Sequence, residues 1–150
     1  MSKQLAIAEL IRLRILTTPG AGEIETPCDL TKIDVIVDRQ KNLVAKVGAA
    51  VSRGSGTAID IFWGGFVTLD KHATRPRLAH RFTLTVWSQP ILSAGQFPAD
   101  DVIEGIVNRL WHWIPEGGHC LGEAEVLNGG LVPDLKFLKY DCEITIPISH

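Results

Sequence analysis

Apolar side chains open the chain at mixed three- and four-residue steps. Leu5, Ile7, Ala8, Ile11 and Ile15 recur through residues 3–17, with Lys3, Glu9, Arg12 and Arg14 between them. That spacing predicts an amphipathic helix, which Thr17-Thr18-Pro19-Gly20-Ala21-Gly22 ends. The stretch through Pro27 reads as an exposed loop. Ile33, Val35 and Val37 then alternate with Asp34, Ile36 and Asp38, a short extended piece. Asp38 also stands where an N-cap opens a second helix through Leu43, Val44, Val47 and Val51, closed by Ser52-Arg53-Gly54-Ser55-Gly56.

Residues 57–69 are rich in β-branched and aromatic side chains, so a strand is expected, bent or bulged at Gly64-Gly65. The clearest strand follows. Phe82, Leu84 and Val86 point one way, while Arg81, Thr83, Thr85 and Trp87 point the other. Between the two strands, residues 70–76 form a hairpin loop longer than a tight turn needs. Pro98-Ala99-Asp100-Asp101 opens the best helix, with carboxylates against the positive end of its dipole. Val102, Ile103, Ile106, Val107, Leu110, Trp111 and Ile114 extend its apolar stripe to Pro115. Two further strands are predicted, residues 123–127 and 137–148, with Asn128-Gly129-Gly130 as a turn. Pro147 argues that the last strand ends at a sheet edge.

The element order predicts one α+β domain over residues 1–150, an antiparallel sheet of about four to five strands with helices packed on one face. Composition agrees with a single folded unit. The 150 residues are 45% hydrophobic and 21% charged, far from the signature of disorder. A net charge of −2 provides no basic field for gathering phosphates, so direct nucleic-acid binding is not expected. Glu9, Arg12 and Arg14 interrupt the first apolar stretch, against a signal peptide, and no run is long enough for a membrane span. Cytosolic placement and no membrane partner are the resulting expectations. Cys28, Cys120 and Cys142 are odd in number and widely spaced, as ordinary reduced thiols are.

Candidate chemistry is sparse. His112, His119 and Cys120 have ligand types suited to zinc, but not the spacing of common zinc sites. A small metal-dependent enzyme centred on them is one alternative reading. The glycines of residues 52–56 follow a helix, the reverse of the order in which a phosphate loop works. Asp100, Asp101 and Glu104 are explained by the helix dipole. With no nucleophile elbow and no His-Glu-x-x-His helix, neither an enzyme nor a cofactor is expected. A small-molecule module, with the sheet and the Val102 helix around an apolar pocket, is a second alternative. Trp63, Trp87, Trp111 and Trp113 are many for this length. Trp87 and Trp113 fall off the apolar faces and are candidates either for a subunit interface or for core burial against a second layer.

Arg81-Phe82-Thr83-Leu84-Thr85-Val86-Trp87-Ser88, the helix opened by Ala99-Asp100-Asp101-Val102 and the closing Ile144-Thr145-Ile146-Pro147-Ile148 form a recognisable series. It resembles the tail-terminator and tail-completion proteins of tailed bacteriophages and prophages, from about Thr57 onward and in the N-terminal helix. The segment from Ile33 to Val51 departs from the simplest version of that pattern. The resemblance implies a virion-tail component, assembled in the host cytoplasm, that oligomerises, often as a six-membered ring. It implies contacts with tail-tube and head-completion proteins and no catalytic residues. On that reading the loop carrying Lys71, His72, Arg75 and Arg77, and the segment from Gly20 to Pro27, are expected assembly contacts.

Overall fold

The computed structural model describes residues 3–37, 43–51, 56–68, 74, 78–89, 97–116, 124–132 and 138–148. Among these residues, three helices and a five-stranded sheet form an α+β fold: α1 (Lys3–Leu16), β1 (Asp34–Ile36), α2 (Leu43–Ala50), β2 (Thr57–Thr68), β3 (Leu78–Ser88), α3 (Ala99–Leu110), β4 (Glu125–Val132) and β5 (Leu138–Ile148). The strand order is β1-β2-β3-β5-β4. Four strands pair antiparallel as expected, whereas β1 runs parallel to β2, so the sheet is mixed. The α2 crossover between β1 and β2 permits this, because parallel neighbours need a connection long enough to carry the chain back.

Alternation along the strands divides the sheet into two faces. Ile59 and Ile61 of β2, Phe82, Leu84 and Val86 of β3, and Cys142, Ile144 and Ile146 of β5 bury one face. Registers such as Ile61↔Leu84↔Cys142 align them in rows. Ile7, Ile11 and Ile15 of α1 and Val102, Ile106 and Leu110 of α3 join the same core. The opposite face carries a second, smaller core, where Val47, Ala50 and Val51 pack on Ala58 with Ile36 and Trp87. The helices therefore lie on both faces, two on one and α2 on the other, and not on one face alone. The alternation of β1 supplies the reason: Val35 belongs to the large core and Ile36 to the small one.

Two predicted boundaries move. The last helix stops at Leu110 rather than Ile114, because Trp111 is extended (ψ 121°) and His112 is left-handed (φ 53°). The helical phase ends there, which places Trp111 and Ile114 in solvent and tucks Trp113 against the large core. The predicted turn at Asn128-Gly129-Gly130 is instead strand, with β4 continuing through it to Val132 after a register shift between Val126 and Asn128. Pro147 lies in an interior strand, paired with Ala79 of β3. On its other side β4 begins only at Glu125, opposite Thr145, so Pro147 has no described β4 partner to which an N–H would donate.

Candidate assembly surfaces

The bulge predicted at Gly64-Gly65 decides what β2 displays. Register slips between Trp63 and Gly65, the latter at φ +113°. Paired residues share a face, so Phe66, opposite His80, returns to the face of Trp63, opposite Phe82. Without the extra residue, Val67 would occupy that face. The helical layer stops short of this end, and Trp63 is 39% and Phe66 58% exposed on the face that forms the core further along. The Trp63 indole N–H donates to Nδ1 of buried His80 (2.9 Å), which holds the exposed ring. Val67 is exposed on the opposite side of the strand.

A second apolar surface lies at the other helices' ends. Ile7, Ile11 and Ile15 bury one side of α1, while Leu13 stands 52% exposed. Leu10, Leu13, Trp113 and Ile114 line a groove between α1 and the segment after α3, and Ile114 is 54% exposed. The Arg14 guanidinium lies 5.9 Å from the centre of the Trp113 ring, a cation–π arrangement that fixes the indole at the groove's edge.

Beneath this surface three charges meet. Arg109 of α3 is buried, 1% exposed, and its Nε donates to the backbone carbonyl of Arg14 (3.1 Å). Arg14 Nε donates in return to the carbonyl of Arg109 (2.8 Å), so the ends of α1 and α3 are stitched by a reciprocal pair. Glu23, from the loop after α1, pairs with both guanidinium groups. The hydrogen bond from Arg109 is the largest influence on its carboxyl, which is held below its ordinary range. Asn108 Nδ2 donates to the Glu25 carbonyl (3.1 Å), a second tie on the same loop.

Of the residues expected at an interface, Trp113 is half-buried beside the groove, and Trp87 is half-buried under α2 in the smaller core. Lys71, His72, Arg75 and Arg77 lie outside the described residues. Within the Gly20 to Pro27 segment, Ile24 is exposed and Glu23 makes the pairings above. His119 and Cys120 are also outside the described residues. Among those described, no group of three or more His, Cys, Asp or Glu is placed to hold a metal. Asp100 and Asp101 occupy the first turn of α3 as the dipole reading expects. Cys28 and Cys142 are free thiols, and burial, their largest influence, pushes each up to about 11. Among the described residues no helix is long and apolar enough to cross a membrane.

The charged cluster is not legible in the sequence because Arg109 lies 86 residues from Glu23 and 95 from Arg14. One signal was present. Arg109 sits three residues from Ile106 on the buried side of α3, and a cation at a core position needs a partner. No family model matches the chain, and no curated protein matches it.

Proposed function

We propose that this chain is a tail-assembly protein of a tailed bacteriophage or prophage, which oligomerises as a ring, caps the tail tube and joins it to the head connector. The observation that supports this reading is a pair of unlike apolar surfaces on different elements: Trp63 and Phe66 on β2, and Leu13 and Ile114 beside Trp113. A ring is built from heterologous contacts, in which one patch of each copy meets a different patch of the next. Large exposed apolar residues are rare on a monomer without such a role when they cluster. The resemblance to tail-terminator proteins supplies the biological setting.

The test is native mass measurement with light scattering over a wide concentration range, followed by binding to purified tail tubes. A closed oligomer that adds to tube ends is expected. A monomer at all concentrations that ignores tail tubes would sink the reading. Phe66→Asp on β2 and Leu13→Asp on α1 alter exposed positions, so both variants fold and each alone abolishes assembly.

A further inference from the structure

The sheet ends in two edges that complement each other. From Trp63 to Thr68 the only described strand beside β2 is β3, because β1 reaches no further than Asp60. At the far end of the sheet, β5 is the only described strand beside β4. Residues 63–68 of β2 contain neither a charge nor a proline, the residues with which edge strands discourage a further strand from adding. Trp63 and Phe66 are exposed on one face of this stretch and Val67 on the other. An open edge presents backbone donors and acceptors at two-residue spacing, and another extended backbone is the partner that matches them.

Direction and register select that partner. β2 runs antiparallel to β3, β3 to β5 and β5 to β4, so β2 and β4 point opposite ways. A second copy laid alongside in the same orientation therefore brings β4 antiparallel to β2 and keeps the large core on one side of both copies. Trp63, Phe82, Ile144 and Val126 form one row across the sheet on that face, and Phe66, His80 and Ile146 belong to the next. β1 occupies the edge opposite Ala58, Ile59 and Asp60, which prevents an unstaggered alignment. Sliding β4 by two residues toward Thr68 preserves the face, because the side-chain period is two, and leaves only Val132 level with β1. Val126 of the second copy then faces Phe66, and Gly129, which has no side chain, faces Trp63. Val126 also borders a hollow of about 400 Å³ with Ala124 and exposed Trp111, so the aromatic pair of one copy meets apolar surface on the next. Ile114, on the same segment as Trp111, borders the α1 groove, and the contact continues into that surface.

We propose that copies of this chain join edge to edge, with residues 63–68 of β2 pairing antiparallel with β4 of the next copy and Trp63 and Phe66 packing on its Val126 and Trp111. The proposal rests on the reading that the chain oligomerises, and it names the seam: one sheet continued from copy to copy. Two different edges meet, so the contact is heterologous, as a ring requires.

The test is hydrogen–deuterium exchange of the unaltered full chain, read by peptide mass spectrometry at concentrations where native mass measurement finds monomer and where it finds oligomer. Alternate amides of an edge strand point outward. In the oligomer those of residues 63–68 and of residues 125–131 are expected to exchange at least about tenfold more slowly than in the monomer. Slowing in one segment alone overturns the proposal, since two copies of the same edge would then meet. An oligomer in which neither segment slows overturns it and leaves tail assembly standing, whereas a chain that is monomeric at every concentration overturns both. Trp111→Asp alters an exposed position beyond α3 and is expected to weaken association at least about tenfold. Unchanged association in that variant also overturns the proposal. Should the variant fail to fold, exchange in the unaltered chain still decides.

Discussion

Gly105 shows how one residue sets the distance between elements. It lies in the middle of α3, where glycine ordinarily weakens a helix by about 1 kcal/mol relative to alanine. A Cβ there would stand 3.1 Å from Leu30 Cδ1 and 3.3 Å from Cδ2. Leu30 is itself buried in the large core, so the missing side chain is the space that Leu30 fills. Gly105→Val is expected to destabilise the protein by about 1–3 kcal/mol, through overpacking. Gly105→Ala is expected to be much closer to neutral, because the helix gain offsets the crowding. Urea denaturation of both variants checks the order. The thiols provide a second prediction at this scale. Burial raises Cys28 and Cys142 from an ordinary 9.0 to about 11, with Asp101 and Asp29 adding to the effect at Cys28 and Glu143 at Cys142. At pH 8 the reactive thiolate is then about 100-fold scarcer than in an ordinary cysteine, before any steric protection. Labelling in native buffer and in denaturant should differ by at least that factor at both positions.

At the scale of elements, the loop after α1 behaves as a strap. Glu23 ties it to Arg14 and Arg109, and Asn108 ties it to the Glu25 carbonyl. The hydrogen bond from Arg109 first, and the charge of Arg14 after it, lower the Glu23 pKa in the fold below its ordinary 4.5. A carboxyl lowered on folding contributes stability that is fully present above the unfolded value and lost as pH falls through the folded one. The melting temperature of the unaltered chain should therefore fall more between pH 5 and 3 than that of Glu23→Gln. Differential scanning calorimetry across that window checks it, and parallel curves would remove Glu23 as a contributor. Arg109 is the firmer half of the pair, since its whole side chain is packed. Arg109→Ala is expected to cost about 2–5 kcal/mol, the usual range for truncating a large core side chain.

For the whole molecule, the prediction concerns the way copies join. If the β2 surface of one copy meets the α1 surface of the next, Phe66→Asp copies keep a sound α1 side and Leu13→Asp copies keep a sound β2 side. Each variant alone should be monomeric. Mixed, the two should form a dimer and stop, because the remaining pair of surfaces carries both lesions. Native mass spectrometry of the equimolar mixture reads this directly. Monomers in the mixture would exclude a heterologous contact between these two surfaces.

Much of the architecture was local enough to be read along the chain. The alternation of Phe82, Leu84 and Val86 defined a strand and its buried face, and the bulge at Gly64-Gly65 is where the glycine pair placed it. α1, β1 and the start of α3 likewise follow from spacing, caps and breakers. These signals depend on neighbours within a turn or a pleat, which are already present in the order of residues. The placement of β5 between β3 and β4, the parallel pairing of β1 and the choice of α2 as the layer over half-buried Trp87 were not legible, since each depends on which distant segment becomes a neighbour. The early end of α3 was hidden because Trp111 and Ile114 continue its apolar rhythm after the backbone has left the helix. Residue order alone therefore determined the elements and most of their faces. Only tertiary structure decided that Arg14, Glu23 and Arg109 share one site and that Trp63 and Phe66 remain uncovered, because both outcomes depend on where the packed layers end.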